Sequence, residues 1–209
     1  KLGYDGRKMV VIHNGFDVNK FNLKIKHRSE LRKSFGIKAN SLIIGSVARY
    51  NEYKDHKSLI YASKNILITR KDVRFVLVGK GINNENEELM ELIKNTNNEK
   101  NFILMGERDD IPLILATFDI FCLHSVSEGF PNVLGEAMAA GIPCIATDVG
   151  DASILMGDNG FIVPSSNYRL LSRKLLTMME INKKERRHMG KLGQERIKNY
   201  FSQRRTVTA

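Results

Sequence analysis

The 209-residue chain has only two cysteines, Cys122 and Cys144. Each sits inside a β-like apolar run, which excludes a disulfide scaffold and reads as a pair of buried free thiols in a reducing compartment, the cytoplasm. No apolar run approaches the roughly 20 residues that a membrane span needs, and the first residues lack the charged-then-apolar plan of a signal peptide. Chemical signatures are missing too. There is no G-x-S-x-G elbow, H-E-x-x-H helix or C-x-x-C pair, and no Asp-x-Asp occurs anywhere. The five histidines are scattered without metal-ligand spacing, so no metal is expected. Internal repeats, low-complexity tracts and Pro-rich linkers are also absent.

Positive charge is abundant but unevenly placed. The formal balance is +10, yet residues 39–182 hold fourteen basic against eighteen acidic residues. The excess lies at the ends, with ten Lys/Arg against three Asp/Glu in 1–38 and nine against two in 183–209. A nucleic-acid binder would carry a basic stripe on its reading surface. A mildly acidic body with basic ends suits docking to another domain or peripheral contact with anionic lipid at the inner face of a membrane. No nucleic acid is expected as a partner.

Short apolar runs alternate with amphipathic stretches. MVVIHNG (9–15), SLIIGSVA (41–48), VRFVLVG (73–79), NFILMG (101–106), DIFCLHS (119–125), IPCIATDVG (142–150) and GFIVP (160–164) read as strands. Helical patterns fall after SLIIGSVA, after VRFVLVG, near 111–117 and over 167–200, the last as one helix or two. Several strands are nearly continuous apolar runs, as in a parallel sheet covered on both faces. The expected fold is therefore α/β, a doubly wound parallel sheet flanked by helices, with one domain from about residue 8 to 165 closed by C-terminal helices over 167–209.

Ligands of such folds bind beyond the carboxyl ends of the strands. The loops there include SEGFPNVLGEAMAAG (127–141), in which Glu128 and Glu136 bracket a Gly-Phe-Pro-Asn turn. Pro131 disfavours helix in the residue before it, so a helix is expected to begin near Asn132. That leaves Glu128 in the loop and Glu136 in the first helical turn, with N–H groups around 131–134 free to meet an anion. A glutamate near a helix start contributes about 0.3–1 kcal/mol on its own, which explains Glu136 but not the turn. GSVARYNEYK adds Gly45 and Ser46 at a strand end with Arg49 and Lys54 beyond them, a set that suits a diphosphate. Gly79 opens a G-K-G stretch that resembles part of a phosphate loop without its spacing.

Taken in order, four segments resemble the donor-binding, C-terminal domain of a GT-B-fold retaining glycosyltransferase of family four. They are VIHNGFDVNKF (11–21), GSVARYNEYKDHKSLIYA (45–62), the stretch from Phe102 to Asp151 with its E-x7-E pair, and GDNGFIVPSSN (157–167). The resemblance implies a single Rossmann-like domain over 1–209, one half of a GT-B fold. It implies that Glu128 binds hydroxyls of the donor sugar and that Glu136 holds the ribose. Phe130, Pro131, Asn132 and Val133 would bring backbone donors to sugar and phosphate, while Arg49 and Lys54 clamp the diphosphate. The turn formed by Gly106, Glu107 and Arg108 would line the base. The implied substrate is a nucleoside diphosphate sugar, UDP before GDP or ADP, used without a cofactor or metal in envelope or capsular polysaccharide synthesis. The implied partner is an N-terminal acceptor-binding domain, without which the chain would bind donor but transfer little. Where many relatives have a Glu after D-V-G-G, this chain has Asp151-Ala152-Ser153-Ile154, so no role is assigned there beyond one for Asp151.

Three rivals compete. A glycosidase would also use two carboxylates, but not across a phosphate-binding helix start. A regulatory receiver would need an Asp cluster at early strand ends, and a Rossmann dehydrogenase would need its glycine fingerprint. The alternative reading is a non-catalytic nucleotide-binding or regulatory α/β domain.

Overall fold

A computed structural model describes residues 11–21 and 28–208. Six parallel strands form one sheet in the order β3-β2-β1-β4-β5-β6. They are β1 (Leu42–Val47), β2 (Val73–Val78), β3 (Phe102–Leu104), β4 (Ile120–Leu123), β5 (Cys144–Thr147) and β6 (Gly160–Val163). β1 and β2 run in register from Leu42↔Val73 to Val47↔Val78. The order reverses between β1 and β4, and this switch point opens a crevice at the carboxyl ends of those two strands. The fold is the Rossmann-like, doubly wound α/β sandwich that the strand pattern predicts.

Two apolar cores fill the two faces. Ile43, Val76, Phe121, Cys144 and Ala146 point to one, where α5 (Ile111–Leu115), α6 (Asn132–Ala139) and α9 (Lys183–Tyr200) cover them. Ile44, Phe75, Leu77, Cys122 and Ile145 point to the other, under α3 (His56–Thr69), α4 (Glu87–Lys94) and α8 (Tyr168–Glu180). Alternate residues thus face opposite layers, and both faces are dry, which is why the strands lack polar alternation. Cys122 and Cys144 are buried free thiols, as expected, and lie on opposite faces of the sheet.

Helix starts follow local chemistry. Asp55, Asn86, Asn167 and Asn182 each accept a hydrogen bond from a backbone N–H in the first turn of α3, α4, α8 and α9. The C-terminal region forms two helices, α8 and α9, followed by α10 (Gln203–Thr208). α1 (Val18–Phe21), α2 (Arg28–Ser34) and α7 (Ala152–Met156) complete the set, without an apolar periodicity that marks them in the sequence.

One expected strand is overturned. Of MVVIHNG, residues 9 and 10 lie outside the described residues, and 11–15 form no strand. Phe16 instead makes an isolated parallel bridge to Ser202, with its N–H donating to the Phe201 carbonyl at 2.8 Å. The segment is held by packing rather than by a ladder. The Phe16 ring occupies the space where a side chain on Gly135 would be, 2.1 Å from that glycine's ideal Cβ.

Candidate functional site

The loop after β1 turns through a short 3-10 segment, Glu52–Lys54, capped by the Asn51 side chain, which accepts from the Lys54 N–H at 3.1 Å. Asp55 follows in the left-handed region at φ 47°, a conformation that Asp tolerates and that starts α3 at once. This turn aims Lys54 at the loop after β4. Its Nζ donates to Glu128 Oε1 at 2.5 Å, and Ser125 Oγ donates to the same oxygen at 2.7 Å. Both partners of the ion pair are largely covered, with side chains 20% and 11% exposed. The two loops are further tied by Val126 N–H donating to the Tyr53 carbonyl at 2.8 Å.

Beneath them lies a buried polar bracket. His124 is fully buried, and its Nδ1 meets the Lys54 carbonyl while Nε2 lies 2.7 Å from Ser46 Oγ. A carbonyl only accepts, so Nδ1 carries the proton and Nε2 accepts from the Ser46 hydroxyl. Burial pushes His124 down to about 4 and the adjoining His56 down to about 2. The two rings meet edge-on at 4.8 Å between centroids, and both are neutral at neutral pH. Lys54 is therefore fixed at both its N–H and its carbonyl.

The loop after β5 closes the far side. Gly150, at φ 50°, brings its backbone so near the Glu128 and Gly129 carbonyls that a Cβ would stand 2.1 Å from the Gly129 oxygen. Asp151 N–H donates to that same carbonyl at 3.0 Å, and Thr147 Oγ1 donates to the Ser125 carbonyl at 2.7 Å.

α6 begins at Asn132, as the position of Pro131 predicts. The donors available there are fewer than expected. Pro131 has no N–H, and the Leu134 N–H already donates to the Pro131 carbonyl at 3.0 Å. The N–H groups of Asn132 and Val133 are the first-turn donors left without a partner among the described residues. Because the helix starts as early as Asn132, Glu136 is the fifth residue of α6, past the first turn expected for it; it is half-buried, and no described residue donates to its carboxyl. Burial raises that carboxyl above the ordinary range.

Phe130 turns away from the cleft floor into an aromatic group with His13, Phe16 and Phe201, at centroid distances of 5.5, 6.1 and 6.4 Å. Asn14 Nδ2 donates to Asn132 Oδ1 at 2.8 Å, and His13 Nδ1 lies 3.4 Å from Asp151. The entry segment 11–16 thus braces the turn between Glu128 and Glu136.

Other expected residues lie around these loops. Gly45 lies inside β1 and not at its end. Its missing side chain is replaced by the Phe118 ring, 2.1 Å from the ideal Cβ, so the glycine makes room for packing. Ser46 is buried and engaged by His124. Gly79 abuts the Ala48 carbonyl, and its N–H donates to the Gly106 carbonyl at 2.7 Å. The Gly106 N–H in turn donates to Ile82 at 2.8 Å, so both glycines shape loops. Arg49 and Glu107 are exposed, and Arg108 forms a two-pronged pair with Asp110 at 2.8 and 2.7 Å. Sequence spacing gave no sign of His124, Ser125 or Thr147, whose partners lie far along the chain. Among the described residues, no group of three or more His, Cys, Asp or Glu side chains could hold a metal ion. No helix there is long and apolar enough to cross a membrane.

A Rossmann-like sheet whose covered Lys–Glu pair, open helix start and unpaired carboxylate gather at the strand switch point has the architecture of one half of a GT-B glycosyltransferase. The chain belongs to the glycosyl transferases group 1 family, whose model matches residues 27–196. Escherichia coli UDP-Gal:alpha-D-GlcNAc-diphosphoundecaprenol alpha-1,3-galactosyltransferase is 32% identical over 199 residues, covering 87% of this chain and 50% of that protein. N-acetyl-alpha-D-glucosaminyl L-malate synthase of Bacillus anthracis is 28% identical over 182 residues, covering 86% and 47%. The chain therefore spans about half the length of these curated relatives. Among solved structures, Anabaena HepE in complex with UDP superposes with a TM-score of 0.88 at 28% identity, over 99% of this chain and 56% of that one. The C-terminal domain of LpcC, a glycosyl transferase group 1 family protein of Francisella tularensis, gives 0.79 at 23% identity, over 90% and 100%, a likeness of fold alone.

Proposed function

We propose that the chain is the donor-binding half of a retaining, metal-independent glycosyltransferase that moves a hexosyl-type sugar from a nucleoside diphosphate to a glycan or lipid-linked acceptor. The observation that carries the reading is the pairing of Lys54 with Glu128 beside the open N–H groups of α6 and the unpartnered Glu136. A half-buried carboxylate without a donor is disfavoured unless a ligand supplies one. Vicinal ribose hydroxyls are such donors, and Glu136 is the group that would take them. Glu128 would accept donor-sugar hydroxyls while Lys54, sharing its charge between Glu128 and the ligand, faces the diphosphate.

Glycosyl departure builds negative charge on the leaving phosphate. Lys54, Arg49 and the N–H groups of Asn132 and Val133 would stabilise that charge selectively, in place of a divalent ion. UDP is the favoured nucleotide because HepE, 28% identical, is solved in complex with UDP and with UDP-glucose. A role in cell-envelope polysaccharide synthesis follows the Escherichia coli relative, whose acceptor carries a diphosphoundecaprenol. Acceptor binding would fall to an N-terminal domain, and the site would work at the inner face of a membrane.

Calorimetry separates the two carboxylates. Glu136→Ala should weaken UDP and UDP-glucose alike, whereas Glu128→Ala should weaken UDP-glucose and spare UDP. Equal losses for both ligands in both variants would contradict the division of roles.

A further inference from the structure

The opposite end of the sheet carries a feature that donor binding does not use. Where the amino ends of β1, β4 and β5 meet α2 and α9, a cleft of about 280 Å³ opens, floored by Ala116, Phe118 and Pro143. Its rim is cationic: Arg28 from α2, and Lys183, Arg186, Arg187 and Lys191 from α9. A second cleft, sharing Arg28, Lys183 and Arg187, adds Arg32, Lys33 and Lys38. One carboxylate, Asp119, lines both.

That carboxylate is already occupied. Asp119 Oδ1 accepts from Arg28 Nη2 at 2.7 Å, and Oδ2 accepts from Arg32 Nη2 at 2.6 Å and from the Ile43 N–H at 2.8 Å. The guanidinium groups are fixed mainly by neutral carbonyls. Arg28 Nη2 also donates to Phe118 O at 2.8 Å, and Arg186 Nη1 donates to the Ile181 carbonyl at 2.6 Å. Arg186 therefore keeps its Nε–Nη2 edge, and Arg28 its Nε and Nη1 separately, with no partner among the described residues. Lys183 and Arg187 make no ion pair there either, and Lys191 reaches only Glu195, at 3.8 Å on the exposed helix surface. Arg28 is held below its ordinary pKa, by burial first and also by the nearby Arg32 and Arg187 charges, with Asp119 opposing. Rigid, mutually repelling donors over an apolar floor are preorganised for an anion, and fork-shaped guanidinium groups match phosphate oxygens.

We propose that this cleft binds a phosphate-bearing group, separately from the donor site. Strands β1, β4 and β5, four to six residues long, put roughly 13–20 Å between the two ends, so one diphosphate cannot reach both. The cleft volume of about 280 Å³ accommodates a phosphate or diphosphate head. The source is either a soluble phosphate compound or a lipid headgroup.

Inorganic pyrophosphate titrated calorimetrically at about 0.15 M salt, where loose surface attraction is screened beyond about 8 Å, tests the cleft. Three proteins are compared: the wild type, Arg49→Ala/Lys54→Gln, and Lys183→Ala/Arg187→Ala. The first double variant removes donor-site cations, so the outcome does not depend on the donor reading. It should retain a pyrophosphate site. Lys183→Ala/Arg187→Ala, two exposed side chains whose loss leaves the fold intact, should weaken that site about tenfold or more and leave UDP binding unchanged. Co-sedimentation with phosphatidylglycerol vesicles identifies the source. Pelleting that pyrophosphate displaces assigns a headgroup, and no pelleting with pyrophosphate still bound assigns a soluble phosphate. A Lys183→Ala/Arg187→Ala isotherm that overlays the wild type overturns the site, as does pelleting indifferent to pyrophosphate.

Discussion

Lys54 Nζ and Glu128 Oε1 stand 2.5 Å apart across two loops that leave different strands, and the pair is mostly closed to water. The Lys54 charge is what compensates the Glu128 carboxylate, since the other bond to that oxygen comes from the neutral Ser125 hydroxyl. Lys54→Met should therefore destabilise the protein by about 2–4 kcal/mol, the cost of stranding a covered charge. Glu128→Gln keeps an acceptor for Ser125 and should cost less than half as much. Urea midpoints of the two variants check the order. A Lys54→Met midpoint equal to the wild type would mean the pair is as weak as a surface salt bridge.

Glu136 trades stability for binding. Its carboxyl is raised by burial, so the charged form is disfavoured in the free protein and Glu136→Gln should be neutral or slightly stabilising at pH 7. The same change should weaken UDP by about 1.5–3 kcal/mol, the value of hydrogen bonds to a charged group. Because the ionised carboxylate is the acceptor, wild-type affinity should also fall as pH drops through the raised pKa, and the glutamine variant should lose that slope.

The two neutral histidines predict acid sensitivity. His124 near 4 and His56 near 2 both lie below the unfolded value of 6.5. The unfolded chain then binds more protons than the folded one below pH 6.5, so stability is complete above that pH and declines as pH falls toward 4 for His124 and further for His56. Each contributes up to about 1.4 kcal/mol per pH unit in that window, and Glu136, with a raised pKa, opposes it in part. Thermal midpoints should hold from pH 7.5 to about 6.5 and then fall toward pH 5 in the wild type, and fall less in His124→Asn. A flat profile would show that the bracket under Lys54 takes up protons without cost.

Much of the architecture was legible because it is written in contiguous residues. The run from Leu42 to Val47 is apolar because both faces of the sheet are dry, and Pro131 marks the start of α6. The Glu128–Glu136 spacing likewise survives folding as a single corner. What could not be read depends on distant partners. Ser46 meets His124 from 78 residues away, and Gly45 is small because Phe118 packs on it. Residues 11–15 have strand-like composition, yet the segment runs beside the chain's C-terminal turn, where Phe16 bridges Ser202. α2 carries no apolar stripe to mark it: its sequence is RSELRKS, and Arg28 and Arg32 hold it through Asp119 and backbone carbonyls.

Gly45 offers a test of packing against ligand contact. A methyl there would stand 2.1 Å from the Phe118 ring, so Gly45→Ala should cost about 1–3 kcal/mol by overpacking. Adding Phe118→Leu should recover part of that loss, and UDP affinity should remain at the wild-type value in whatever fraction is folded. A selective loss of UDP binding with stability unchanged would return Gly45 to the ligand site.

The central claim is that this half of the enzyme holds a nucleoside diphosphate by its own cations, carboxylates and helix start. Calorimetric titration of UDP into the chain in the presence of EDTA, with GDP and ADP alongside, tests it most directly. The account predicts one site per chain with UDP bound most tightly and no loss on chelation. No binding of any of the three nucleotides, or binding that EDTA abolishes, would contradict it.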